Sequence, residues 1–228
     1  MAVEDAAAAS GRGFDRHALA FWLMELPQHW PLPEATDLLD DVLAAYDDPT
    51  RRYHDRRHLT EVLDRIEELR AEGEHFDPLT VTLAAFFHDS VYDGERDAEE
   101  RSATWAEDAL GAYLDADTVA EVARLVRLTE THDPTAEDRS GRVLSDADLA
   151  ILAAPTERYA EYAATVREEY QHLSDEEFRV GRAQVLERLL EKESLFSTPF
   201  ARISWEAAAR ANISAEMETL NTYLSPDR

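Results

Sequence analysis

Apolar residues recur at three- and four-residue steps along most of the chain. In RHLTEVLDRIEELR they fall at Leu59, Val62, Leu63, Ile66 and Leu69, the stripe of an amphipathic helix. DPLTVTLAAFFHDSVYD opens with Asp77 as N-cap and Pro78 at the first helical position, then runs apolar nearly all round, so it reads as a buried central helix. The same periodicity continues through DAEERSATWAEDALGAYL, DADTVAEVARLVRLTETH, SDADLAIL, PTERYAEYAATVREEYQHL, SDEEFRVGRAQVLERLLEK and SWEAAARANISAEMETLNTYL. Two earlier stretches, Phe14–Leu26 and Pro33–Tyr46, read the same way. No segment alternates apolar and polar positions between hairpin turns, so no sheet is expected. The expectation is a compact all-α bundle formed by residues 14–228, with residues 1–13 as a frayed N-terminal tail.

Composition narrows the classes. The 228 residues include 49 acidic and 23 basic ones, a net charge of −26, with Lys192 as the one lysine. That balance opposes general binding to nucleic-acid phosphates and docking on anionic membranes. No apolar run approaches the ~20 residues that span a bilayer, and MAVEDAAAASGRG lacks the basic and apolar regions of a signal peptide. A cytoplasmic location is therefore expected. Cysteine is absent, which excludes disulfides, thiolate metal sites and cysteine nucleophiles.

Against this acidic background, RRYHDRRHL (51–59) gathers four arginines and two histidines. His54 and His58 are four apart and would share a face if both were helical. His88 and Asp89 end the most apolar helix, where an imidazole and a carboxylate are costly unless paired or bound to a metal. Asp146 and Asp148 lie in the apolar VLSDADLAIL; capping accounts for Asp146, but not for Asp148 as well. His132 ends the helix in LVRLTETHDP, where interaction with the helix dipole is a sufficient reason for it. His17, His29, His75 and His172 stand among ordinary helix or loop residues and read as exposed or hydrogen-bonded. His58, His88, Asp89 and Asp148 together offer nitrogen and oxygen ligands without a thiolate, a set suited to Mn, Fe, Co, Ni, Zn or Mg. A helical bundle can bring such ligands together in its core.

These residues resemble the H…HD…D pattern of the HD superfamily of metal-dependent phosphohydrolases, and more narrowly a bacterial branch of predicted HD phosphohydrolases. The likeness runs through RRYHDRRHL, FFHDSVYD, EERSA, LTETH, DADLAIL, VREEY and EAAARANISAEMETL. It implies an all-helical fold and a divalent ion held by His58, His88, Asp89 and Asp148, the last chosen over Asp146 because ADL is similar to the motif of cyclic-nucleotide phosphodiesterases. YHDRRH is similar to the Tyr-His-Asn-x-x-His motif of those enzymes, which makes His54 the general acid, with Asp55 in place of the asparagine. HDSVYD is similar to the HD-x-V-E-D motif of guanosine-tetraphosphate hydrolases; Tyr92 replaces the glutamate, while Asp93 is left as a water-orienting carboxylate. Glu99 resembles a supporting acid, and His132 is a second-metal ligand, a substrate contact or a helix-terminal histidine.

The implied activity is hydrolysis of a small phosphate ester, with a nucleotide as one substrate class. Arg51, Arg52, Arg57 and Arg101 are the candidates to clamp its phosphate. Arg56 and Arg57 point about 100° apart on a helix, so they cannot both face one pocket. Two other expectations stand beside this one. A metal-stabilised module could sense a nucleotide or bind a protein without catalysis. An HD-type di-iron oxygenase would need two more histidines between Asp89 and Asp148, where only His132 lies.

Overall fold

The structure, a computed structural model, describes residues 26–224, with side chains to residue 222. The expected N-terminal tail, the helix over 14–25 and His17 lie outside the described residues. The elements are α1 (Leu26–His29), α2 (Thr36–Tyr46), α3 (Arg56–Ala71), α4 (Pro78–Phe87), α5 (Ala98–Leu110), α6 (Ala116–Leu128), α7 (Arg139–Leu149), a 3-10 turn (Ala150–Ala153), α8 (Thr156–Glu169), α9 (Asp175–Glu191), α10 (Pro199–Ser204) and α11 (Glu206–Leu224). No strand occurs among the described residues, so the protein is an all-α bundle. No described helix is long and apolar enough to cross a membrane.

α4 occupies the centre because it is apolar nearly all round. Val81, Leu83, Ala84, Ala85, Phe86 and Phe87 are all completely buried. α3, α5, α6 and α7 pack around it. Its start is set as the sequence predicts: Asp77 accepts the Leu79 N–H at 3.0 Å and Pro78 follows. α3 lies beside it and is capped by Asp55, which accepts the N–H groups of Arg57 and His58 at 2.9 and 3.3 Å. α9 opens with a reciprocal capping box between Ser174 and Glu177.

One boundary departs from the sequence reading, and it matters for the site. The periodic segment SDADLAIL begins a helix near Ser145 on pattern alone, with Asp146 at its N-terminus. α7 instead begins at Arg139, capped by Asp138, which accepts the Gly141 N–H at 2.8 Å. Gly141 conceals this start, because glycine in a helix argues against one. Here nothing larger fits: a Cβ at position 141 would lie 2.3 Å from Asp138 Oδ2 and 2.6 Å from a methyl of Leu128. Asp146 and Asp148 therefore both lie inside α7. Two residues apart, they point about 200° apart, to opposite faces.

Candidate metal centre

The ends of three helices and one turn converge beside α4. His58 comes from the first turn of α3, His88 caps the C-terminus of α4 and Asp89 follows it, and Asp148 comes from the last turn of α7. His58 Nε2 lies 3.0 Å from His88 Nε2, 3.2 Å from Asp89 Oδ2 and 3.2 Å from Asp148 Oδ1. His88 Nε2 lies 3.0 Å from Asp89 Oδ2 and 3.6 Å from Asp148 Oδ1. Both imidazoles are buried, and the carboxylates are mostly so. Asp146, on the opposite face of α7, accepts the backbone N–H groups of Ser197 and Thr198, each at 2.7 Å. It ties down the connection into α10.

The donors fit a divalent ion in chemistry and in spacing. Metal–ligand bonds of ~2.0–2.2 Å place neighbouring ligand atoms about 3.0 Å apart in an octahedron and about 3.4 Å apart in a tetrahedron. The observed separations fall in and just around that range. His88 Nδ1 lies 2.7 Å from the Ala85 carbonyl. A carbonyl only accepts, so the proton sits on Nδ1 and the Nε2 lone pair faces the cluster. His58, His88 and Asp148 thus form a group that could hold a metal ion, and Asp89 is within reach of both imidazoles.

The local field asks for positive charge. Burial alone would lower the His58 value, but the Asp148 and Asp89 carboxylates outweigh it and push the imidazole up to about 9. Burial likewise opposes ionisation of Asp89 and Asp148, and the imidazoles, His88 foremost, still hold both carboxyls well below the usual range. Protons on the imidazoles and a divalent cation would compete for the same place.

Next to the cluster lies a cavity of about 570 Å³, lined in part by Asp89, Asp148, His54, Tyr92, Glu99 and His132. His54 precedes α3, so helical periodicity does not aim it; Glu169, at the end of α8, does. Glu169 Oε1 accepts the backbone N–H groups of Arg52, Tyr53 and His54 at 2.8, 2.8 and 3.0 Å, and Oε2 lies 2.7 Å from His54 Nδ1. With Nδ1 donating to that carboxylate, Nε2 is the nitrogen left for the cavity. Tyr92 stacks on the His54 ring at 4.0 Å, and the His58 ring centre is 5.6 Å away. Tyr92, where the resembled motif has a glutamate, thus acts as a platform.

His132 sits just beyond α6 with φ of +48°, a left-handed conformation that costs a non-glycine residue energy. Its Nε2 lies 3.4 Å from Asp148 Oδ2, and its carbonyl accepts from Lys192 at 3.0 Å. Burial lowers its pKa despite the nearby Asp148 carboxylate, which favours a neutral ring.

The arginines are engaged elsewhere. None of Arg51, Arg52, Arg57 and Arg101, expected at the phosphate, is among the residues lining the cavity. Arg51 is buried and donates to the carbonyls of His54, Asp89 and Ser90 at 3.0, 2.7 and 3.2 Å. Three carbonyls converge where the chain turns after α4, and a planar guanidinium satisfies them together. Arg52 pairs with Glu168, and Arg57 with Glu61 and Glu161. Arg101 forms a two-pronged pair with Asp93, both bonds 2.7 Å, at the surface. That pairing holds the Asp93 carboxyl below its ordinary value and engages both its oxygens, and Asp93 is not among the residues lining the cavity.

Arg182 and Arg188, on α9, line the cavity instead. Neither they nor Glu169 carried a sequence signal beyond ordinary helix charge; VREEY was part of the resemblance, but gave Glu169 no role. No protein-family model matches the chain, and neither a curated protein nor a solved structure is significantly similar to it.

Proposed function

We propose that this protein is a metal-dependent hydrolase of a small phosphate ester, in keeping with its resemblance to the HD superfamily. One observation supports the reading above the others: two buried imidazoles and two carboxylates lie at metal-ligand spacing beside a cavity that a fifth side chain, the oriented His54, also lines. His58, His88, Asp89 and Asp148 would hold a divalent ion. Such an ion, when bound, supplies Lewis acidity and a water ionised near neutral pH.

The chain's own residues do the rest. The carbonyl of Ala85 keeps the His88 lone pair directed inward. Glu169 fixes the ring of His54 and leaves Nε2 toward the cavity, where the protonated ring donates to the departing oxygen. Tyr92 keeps that ring from turning. The guanidinium of Arg188 supplies a donor fork for phosphoryl oxygens at the cavity wall.

The test joins metal analysis of the purified protein to a hydrolysis screen over monoesters, cyclic diesters and pyrophosphates, with Asp148→Ala as control. Bound divalent metal and turnover, both lost in Asp148→Ala, are expected. Metal without turnover would mark a binding module, and two irons with oxygen-dependent turnover would mark an oxygenase. Absence of any divalent ion would defeat the proposal.

A further inference from the structure

The cavity is much larger than a phosphoryl group requires. Its volume of about 570 Å³ lies within the ~300–1,000 Å³ usual for sites that enclose a whole small molecule. Away from the metal-ligand group its wall comes from α8, the following turn and α9. Tyr162, Val166, Tyr170, Leu173, Phe178 and Val185 form that wall. Only five large apolar side chains stand exposed among the described residues, and Tyr170 and Val185 are two of them. A third, Val180, is on the same helix as Val185. Tyr113 and Ile203 stand exposed away from the cavity, but apolar side chains gathered along a cavity wall, rather than scattered singly, are surface suited to a ligand.

Charge limits what the other end of that ligand carries. Asp89, Asp148, Glu99 and Glu177 contribute four carboxylates to the lining, against Arg182 and Arg188. Arg182 is already committed: it donates to both oxygens of Glu216 at 2.8 and 3.1 Å and to the Tyr162 hydroxyl at 3.0 Å. The Arg188 side chain donates to the Gln184 carbonyl at 3.2 Å and has no carboxylate partner among the described residues. A divalent ion would balance Asp89 and Asp148, so the rest of the lining sets one uncommitted guanidinium against Glu99 and Glu177 in a chain of charge −26, a balance that favours one phosphoryl group over a polyphosphate.

We infer that the substrate carries a single phosphoryl group on an uncharged body with a flat or apolar ring, the ring lying against α8 and α9. Calling this ligand a substrate rests on the hydrolase reading; the ring preference does not depend on turnover. The test is calorimetric titration of the full chain at constant free Mg²⁺ with three probes that have no ester to cleave. These are 1-naphthylphosphonate, methylphosphonate and methylenebisphosphonate.

Naphthylphosphonate should bind at least ~30-fold more tightly than methylphosphonate, the effect of burying one ring, and methylenebisphosphonate should bind more weakly than naphthylphosphonate. Val185→Ser, at an exposed position that leaves folding intact, should cut the ring preference about threefold, and Phe178→Ser about tenfold. Equal affinity for the two monophosphonates, or tightest binding of the bisphosphonate, overturns the inference. Turnover of 1-naphthyl phosphate is scored separately. Ring-selective binding without turnover would defeat the hydrolase reading and leave the ring site standing, whereas turnover without ring selectivity would do the reverse.

Discussion

Replacing Glu169 tests whether a carboxylate 115 residues away aims His54. In Glu169→Ala, three backbone N–H groups and one imidazole N–H lose their acceptor together. An unsatisfied buried donor costs ~1–3 kcal/mol. Arg52 is exposed and its amide regains water, but Tyr53 is buried and His54 only partly open. The expected loss is about 3–5 kcal/mol, which for a chain of this size lowers the melting temperature by roughly 6–20 °C.

Glu169→Gln separates position from charge. Its oxygen can still accept the three amides, so stability should fall by only about 1–2 kcal/mol. The imidazole, however, loses its charged partner and the tautomer that goes with it. Turnover should then fall ~100-fold or more, with metal content unchanged. The pH dependence adds a further check. Burial works against the Glu169 carboxylate, but the hydrogen bonds from His54 and the backbone amides outweigh it and bring the group from 4.5 down to about 2. Because the folded-state value is the lower one, this stabilisation is fully present above pH 4.5 and is lost as the pH falls toward 2. Glu169→Gln should lack that acid limb in urea unfolding. An alanine variant within 1 kcal/mol of wild type, or a glutamine variant with full turnover, would refute the role assigned to Glu169.

Asp146→Asn and Asp148→Asn should separate cleanly. The first turns an amide NH₂ toward a donor at Ser197 or Thr198 and costs about 2–4 kcal/mol in denaturant unfolding without loss of metal; the second lowers metal affinity at least ~10-fold by calorimetry and also destabilises the metal-free chain at neutral pH, because the buried imidazoles lose a counter-charge. Arg51→Met should cost about 2–4 kcal/mol by leaving three carbonyls without a donor, and should weaken metal binding because the turn that carries Asp89 loses its tie. Arg51→Lys, with a single ammonium, should restore only part of either.

What could be read in advance depended on the range over which each residue acts. α3 and α4 were legible because their apolar stripes are local, and in α4 Asp77 and Pro78 act within two residues; the Asp55 cap of α3 is equally local but was not read from the sequence. His88 and Asp89 could be singled out because an imidazole and a carboxylate are out of place at the end of an apolar helix, and His58 because it stands four residues from His54 in a cluster of arginines. Choosing Asp148 over Asp146 rested on resemblance; the physical reason, opposite faces of one helix, needed a helix start that Gly141 hides. Glu169 was not legible, since nothing in REEY distinguishes an exposed glutamate from one that reaches the amides of Arg52–His54. The arginines misled for a related reason: closeness in sequence to His54 and His58 gives no direction, and the converging carbonyls that take Arg51 exist only once α4 has ended against the 51–55 loop.

The positive charge of RRYHDRRHL therefore has a different use from the one its composition implies. Arg51 is held by three carbonyls, Arg52 by Glu168, Arg56 by Asp47, and Arg57 by Glu61 and Glu161. Leaving aside Glu61, which is on α3 itself, these partners lie just beyond α2, on α8 and in the turn after α4, so Arg51 and Arg52 tie down the loop while Arg56 and Arg57 tie down the first turn of α3. Each exposed pair alone contributes only ~0–1 kcal/mol. The loop, however, ends in the Asp55 cap that starts α3 at Arg56, two residues before His58, and it carries His54 on the way. An acidic chain offers such arginines carboxylates on every side. With those four engaged, Arg188 on α9 is the cavity-lining guanidinium without a carboxylate partner among the described residues, and under the proposed function it is the one left for a phosphoryl group.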